Sequence, residues 1–209
     1  MPDPHRIKRE LTELLSRPYY ANLFSRRNQF SNRGAVTPAA FASETADWIM
    51  RSSPFHDPVE VLELSGGQLE FYRAYDGISH HTALTLGRCW LERQVLETIW
   101  TATQRWQGQG REKVLMEFLQ SANFIHPQWN QMAEIACMQV GAGSKVVVIR
   151  GKGNWRAMRG QPGITSADDV ISSLGMMPIP GTYQCIVPLY NDMWVRSVPR
   201  QSAHWPFLT

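Results

Sequence analysis

The chain has 209 residues, of which 43% are hydrophobic and 19% charged, with a formal net charge of +3. This balance favours a packed core over disorder, and so small a charge does not require a nucleic-acid partner. No apolar run approaches the roughly 18 residues of a membrane helix, and the N-terminus lacks the apolar segment of a secretory signal. We expect no membrane association, and a protein that is cytoplasmic or is delivered to a target-cell cytosol without a signal peptide.

The cysteines and histidines indicate no metal site. Cys89, Cys137 and Cys185 are far apart and form no Cys-x-x-Cys pair, so neither a disulfide framework nor a zinc site is predicted. The six histidines show no spacing typical of metal ligands. The phosphate-binding, nucleophile-elbow and metalloprotease motifs are absent from the sequence as well. Any function therefore has to come from arginines, aromatic residues, acids and glycines.

The N-terminal quarter of the sequence is predicted to be helical. Apolar residues at helical spacing predict a first helix over residues 7–16. Residues 17–36 are polar and arginine-rich, which predicts a loop or arm. Thr37, followed by proline, fits an N-cap and predicts a second helix to about residue 51. We therefore predict a helical N-terminal extension over residues 1–58.

Residues 59–209 are predicted to form a domain of mixed α+β class with mainly antiparallel strands. A Ser-Gly-Gly turn after the first strand predicts a β-hairpin, and the clearest pair of strands flanks a Gly-Ala-Gly-Ser turn. Amphipathic spacing predicts two helices between the strands. The predicted strands span 59–64, 68–75, 87–91, 134–140, 145–150, 183–189 and 193–198, and the helices span 92–106 and 111–120.

One predicted strand, Phe71–Tyr75, carries an arginine between two tyrosines. A planar guanidinium on a partly buried strand needs an anionic partner and suits one with two oxygens, such as a phosphate or a carboxylate. Considered alone, Arg73 fits an ion pair with Glu63 or Glu92 better than a ligand contact. The segments that follow Arg73 along the chain favour a ligand contact instead.

Four short segments occur in a distinctive order: Tyr72–Tyr75, Leu86–Leu91, Val140–Ser144 and Gly181–Pro188. Their order resembles the ADP-ribosyltransferase superfamily, and is most similar to NAD-consuming toxin domains related to tuberculosis necrotizing toxin. The resemblance covers about residues 68–190. It implies a split-sheet domain that binds NAD as its substrate.

The resemblance implies a cofactor-binding role for five residues. Arg73 would bind the pyrophosphate of NAD. Gly87 would let the backbone approach the nicotinamide, because it has no side chain to obstruct it. Trp90 or Tyr75 would stack on the nicotinamide ring, and Arg88 would add a contact to phosphate or ribose.

The implied catalytic residues are Arg73, Gln184 and Glu134. Gln184 holds the position where transferases of this superfamily usually carry a catalytic glutamate, which supports the positive charge that develops on ribose. A glutamine can hydrogen-bond the ribose but carries no charge, so the resemblance implies hydrolysis over efficient protein modification. Glu92 and Glu134 are candidates for the missing carboxylate, although an exposed structural acid is the alternative for each. We expect Arg73, Trp90 and Gln184 to line one cleft.

The leading hypothesis is an NAD-consuming toxin or effector, specifically an NAD glycohydrolase that cleaves the nicotinamide–ribose bond. One alternative is a mono-ADP-ribosyltransferase, whose basic segments 26–33 and 145–159 would dock a protein or nucleic-acid acceptor. A second alternative is a non-enzymatic interaction module with tryptophan-rich surfaces. The toxin hypothesis also predicts a cognate immunity or inhibitor protein as a partner.

Overall fold

The computed structural model describes about half of the residues of the chain, and these form N-terminal helices and a sheet. The residues that it describes are 3–29, 36–52, 54–55, 58–65, 67, 69–75, 89–104, 134–153, 169 and 183–198. The predicted helix 111–120, Gly87 and Arg88 lie outside these ranges. Among the described residues, no helix has the length and apolar character needed to cross a membrane.

Three helices form the N-terminal part: α1 (Pro4–Leu15), α2 (Pro18–Gln29) and α3 (Pro38–Ser52). Each begins at a proline, whose fixed φ suits the first helical turn. The side chain of Asp3 caps α1 by accepting hydrogen bonds from the backbone N–H groups of His5 and Arg6. The hydroxyl of Thr37 accepts from the N–H of Ala40 at the start of α3. The first helix and the Thr37 cap are confirmed.

The predicted loop over residues 17–36 is wrong where the structure has α2. The polar composition of this segment concealed two aromatic residues one helical turn apart, Tyr20 and Phe24. Both are buried in a cluster with residues of α1 and α3. Two large rings on one face are enough to hold an otherwise polar helix against a core.

Seven strands form one sheet in the order β1-β5-β6-β3-β2-β4-β7, and every neighbouring pair is antiparallel. A further helix, α4 (Arg93–Gln104), follows the third strand directly. The mixed α+β class is confirmed. The strands are β1 (Glu60–Ser65), β2 (Leu69–Tyr75), β3 (Cys89–Glu92), β4 (Glu134–Val140), β5 (Lys145–Lys152), β6 (Tyr183–Ile186) and β7 (Val195–Val198).

The predicted hairpin of β1 and β2 is wrong, because these strands do not pair with each other. β1 pairs with β5, whereas β2 pairs with β3 and β4. In a flat sheet, four strand spacings would set β1 and β2 roughly 19 Å apart. The connection from Ser65 to Leu69 spans at most about 14 Å. The sheet must therefore curl.

The turn between β4 and β5 also joins two strands that are not neighbours in the sheet. The N–H of Ser144 donates to the carbonyl of Gly141 at 2.9 Å and closes a β-turn. Gly143 has a φ of +78°, which glycine adopts without steric cost. Because β4 and β5 are also separated by three strands in the sheet order, this tight turn requires the same curling.

The curled sheet consists of two halves joined by β3. We call β1-β5-β6 the first half-sheet and β2-β4-β7 the second half-sheet. Cys89 and Trp90 of β3 pair with β6, and Leu91 and Glu92 pair with β2. One short strand thus pairs with both halves.

Each face of the first half-sheet covers a different core. Because side chains alternate along a strand, Ile149 and Ile186 pack with the N-terminal helices on what we call the helix-side face. Val148 and Cys185 pack on the other face, the inner face, with Phe71 of the second half-sheet. Residues of the predicted extension 1–58 thus share a core with the sheet, while the domain boundary at residue 58 stays a prediction.

Candidate functional site

A pocket of about 450 Å³ lies where β3 leads into α4. Its volume falls within the range of roughly 300–1,000 Å³ that is typical of small-molecule sites. Four of its lining side chains are ionisable as acids or bases, and a tyrosine lies beside them. The lining residues are Pro58, Glu60, Glu92, Gln94, Val95, Thr98, Arg150, Lys152 and Tyr183.

The register of the strands brings the charged lining residues together. Glu60 faces Arg150 across β1 and β5, and Lys152 faces Tyr183 across β5 and β6. The register of β3 against β6, carried to the end of β3, sets Glu92 opposite Tyr183. Facing residues of antiparallel strands share one face, so these five side chains belong to the inner face, at the end of the row that includes Val148 and Cys185.

Arg150 connects two carboxylates of the pocket. Its Nε and Nη2 donate to Oε2 of Glu60 at 3.1 and 2.9 Å, and its Nη1 lies 3.6 Å from Oε1 of Glu92. Its Cζ lies 5.8 Å from the centre of the Tyr183 ring, within cation–π range. Burial acts to lower the pKa of Arg150, but the two glutamates outweigh burial and raise it. Arg150 therefore keeps its charge and holds both acids.

Glu92 is the acid of this pocket that has a buried oxygen without a hydrogen-bond donor among the described residues. Its Oε1 is buried and accepts no hydrogen bond from any residue that the structure describes. The Arg150 nitrogen at 3.6 Å provides an ion pair but lies beyond hydrogen-bonding distance. An unsatisfied buried polar atom costs about 1–3 kcal/mol, and more when the group is charged. Because Glu92 also lines the pocket, a bound ligand is one explanation for a carboxyl group whose buried oxygen has no hydrogen-bond donor.

Glu70 is a second acid near the start of α4, and its hydrogen bonding is complete. Tyr72 donates to its Oε2 at 2.8 Å, Arg93 donates to the same oxygen at 3.0 Å, and Gln139 donates to Oε1 at 2.8 Å. Burial acts to raise the pKa of Glu70, but the hydrogen bonds from Gln139 and Tyr72 and the charge of Arg93 outweigh it and lower the pKa. Since Arg93 directly follows Glu92, Glu70 anchors the chain at the pocket.

Arg73 and Trp90 lie on one face of the sheet. Arg73 alternates with Tyr72 and so shares the inner face with Phe71. Its side chain is half-buried, and burial lowers its pKa, with Cys89 and Tyr190 acting in the opposite direction. Trp90 is fully buried in the inner core. Its ring packs edge-on against the ring of Tyr190, with 5.8 Å between the two ring centroids.

Gln184 lies on the helix-side face, so the expectation that it shares a cleft with Arg73 and Trp90 is wrong. It precedes Cys185, which pairs with Trp90 on the inner face, and alternation turns the two neighbours to opposite faces. Its facing residue is Gly151, where an added Cβ would lie 2.9 Å from the ring of Phe55 in the helix-side core. Gln184 is buried, and none of the described residues accepts a hydrogen bond from its Nε2.

The roles of the other predicted site residues stay predictions. Tyr75 and Glu134 are backbone partners at one end of β2 and β4. Gly87 and Arg88 lie outside the described residues. No group of three or more potential metal ligands occurs within the described ranges.

The sequence named Glu92 but missed Glu60, Arg150 and Tyr183 as members of its pocket. A signal for Arg150 was present, because the alternate positions of β5 change from valines to Arg150 and Lys152. Such a change marks the point where one face of a strand leaves the core. Comparison of the chain with protein-family models, curated proteins and solved structures finds no match.

Proposed function

We propose that the protein is an NAD glycohydrolase and that Glu92 supports cleavage of the nicotinamide–ribose bond. The observation that carries the proposal is the buried Oε1 of Glu92, which accepts no hydrogen bond from the described residues although Glu92 lines a polar pocket. The substrate comes from the resemblance of four segments to the ADP-ribosyltransferase superfamily. Glu92 supplies the carboxylate that this resemblance left missing, in place of Gln184.

The chemistry requires a negative charge near the anomeric carbon of ribose. As nicotinamide leaves with the electron pair of the glycosidic bond, positive charge develops on the ribose, and a fixed carboxylate stabilises it. Glu92 is held at the end of β3 by Arg150 on one side and by the anchored start of α4 on the other. It therefore needs little reorganisation during the reaction.

The remaining pocket residues suit a nucleotide. The exposed Lys152 offers a positive charge for a phosphate. The ring of Tyr183, 38% exposed, offers a face for a planar group. A sheet whose two halves meet at β3 supports the split-sheet arrangement that the resemblance implies. A toxin or effector role, with a cognate inhibitor protein, belongs to the same proposal.

Purified protein incubated with NAD tests the proposal, with free nicotinamide and ADP-ribose measured by chromatography. We expect turnover by the wild type and a fall in kcat of about a hundredfold to a thousandfold in Glu92→Gln, because the charge is lost while the shape is kept. Glu97→Gln, on the exposed side of α4 and outside the pocket, is the matched control and should keep wild-type turnover. Absence of nicotinamide release by the wild type would contradict the proposal.

The same reaction separates the alternative functions. With labelled NAD and a cell lysate present, label that stays in free ADP-ribose supports hydrolysis. Label on protein or nucleic acid would favour the mono-ADP-ribosyltransferase. Neither turnover nor binding of NAD would favour the non-enzymatic interaction module.

A further inference from the structure

Glu60 faces the same pocket as Glu92, from the other side of Arg150. Its Oε2 accepts both hydrogen bonds from Arg150, at 3.1 and 2.9 Å. No described residue donates to its Oε1, and its side chain is 49% exposed. Glu60 thus has one oxygen that is fixed by an arginine and one oxygen that accepts no hydrogen bond from the described residues, on a half-exposed side chain that lines the pocket.

The guanidinium of Arg150 holds the two acids apart. It lies 2.9 Å from Glu60 and 3.6 Å from Glu92, with its own width between them. The two carboxyl groups therefore lie on different sides of the guanidinium, and glycosidases in which one acid activates a water also keep their two acids apart. In such enzymes the distance between the acids leaves room for the attacking water beside the bound sugar.

We propose that Glu60 is a further catalytic residue, the general base that activates the attacking water. The inference rests on the proposed NAD glycohydrolase function. The water oxygen forms a bond to the anomeric carbon of ribose as the carbon–nitrogen bond to nicotinamide breaks. The nicotinamide nitrogen takes the electron pair and leaves neutral. The water proton passes to Glu60 and then to solvent, so the products are ADP-ribose, nicotinamide and one proton.

Glu60→Gln tests the role, because the amide keeps the size of the side chain and its oxygen can still accept from Arg150. We expect kcat to fall by about a hundredfold to ten-thousandfold, the usual contribution of a general base, with KM for NAD little changed. Azide attacks as an anion and needs no base. It should therefore raise nicotinamide release by Glu60→Gln at least tenfold and yield ADP-ribosyl azide, while Glu92→Gln gains nothing. Glu97→Gln serves again as the control.

Each outcome decides the inference. Wild-type turnover in Glu60→Gln, or a loss that azide does not restore, would overturn it; if Glu92→Gln is inactive in the same assay, the glycohydrolase proposal survives. No turnover by the wild type would overturn both. Should Glu60→Gln fail to fold, Glu60→Asp replaces it. That variant keeps the base but withdraws it from the water, so a severalfold lower kcat that azide restores supports the role, whereas an unchanged kcat or a loss that azide does not restore overturns it.

Discussion

Glu70 and Glu92 are close neighbours on paired strands, yet their surroundings differ. Glu92 faces Phe71 across β2 and β3, and Glu70 is the residue before Phe71. Each acid lies near an arginine. Glu70 accepts hydrogen bonds from Tyr72, Arg93 and Gln139, whereas the buried oxygen of Glu92 accepts none from the described residues.

This difference separates an acid that stabilises the fold from one that is available to a ligand. A buried carboxylate with every partner in place contributes to stability, and removing it leaves donors unsatisfied. A carboxylate with an open buried oxygen costs stability, and such a defect is expected at a functional site. Position on the sheet accounts for the two environments. Glu70 alternates with Phe71 and so points away from the inner face, where the pocket lies.

Replacing Glu70 by alanine is the strongest test of its structural role. The change removes the acceptor of Tyr72, Arg93 and Gln139, and the first of these donors is buried. We expect the free energy of unfolding to fall by about 2–4 kcal/mol in urea titrations. A loss below about 1 kcal/mol would contradict the comparison, because it would mean that these hydrogen bonds contribute no more than exposed ones.

The contribution of Glu70 to stability should be lost in acid, because its pKa is lowered from its ordinary value of 4.5 in the folded protein. Since the folded state favours the ionised acid, its contribution is complete above the unfolded pKa and is lost as pH falls through the lowered folded pKa. The stability difference between wild type and Glu70→Gln should therefore be constant near neutral pH and shrink below about pH 4.5. Urea titrations from pH 7 to pH 3 measure it, and a difference independent of pH would exclude this linkage.

Glu97 provides the smallest effect, because it pairs with the same Arg93 in an exposed setting. Its Oε1 lies 2.8 Å from Nε of Arg93, and the side chain of Arg93 is 51% exposed and that of Glu97 48% exposed. Glu97→Gln should change the free energy of unfolding by no more than about 0.5 kcal/mol, as expected for a solvated ion pair. The same urea titration applies. An effect comparable to that of Glu70→Ala would show that burial does not distinguish the two acids.

Local patterns predicted the elements of the fold well. Alternation and glycine turns placed the strands, and the proline after Thr37 placed the start of α3. α2 was missed because Tyr20 and Phe24 are few among many polar residues, and only the core that covers them stabilises the helix. Burial of these two rings in the tertiary structure, and not the average polarity of the segment, determines that α2 is a helix.

Strand pairing could not be predicted from the same patterns. The Ser-Gly-Gly turn after β1 is a good hairpin signal, but β1 pairs instead with β5, whose four residues from Val146 to Ile149 are all buried. The choice between a neighbouring and a distant partner depends on contacts far apart in sequence. For the same reason, the sequence named Glu92 as a candidate acid but did not show that Glu60 and Arg150 lie beside it.

Nicotinamide release from NAD by wild type, Glu92→Gln and Glu70→Gln, measured side by side with thermal unfolding, tests the central claim most directly. We predict that Glu92→Gln loses about a hundredfold to a thousandfold in kcat and unfolds close to the wild-type temperature. We predict that Glu70→Gln keeps its turnover below its unfolding transition but unfolds at a lower temperature. Wild-type turnover in Glu92→Gln, or no nicotinamide release by the wild type, would contradict the assignment of Glu92 as the functional acid.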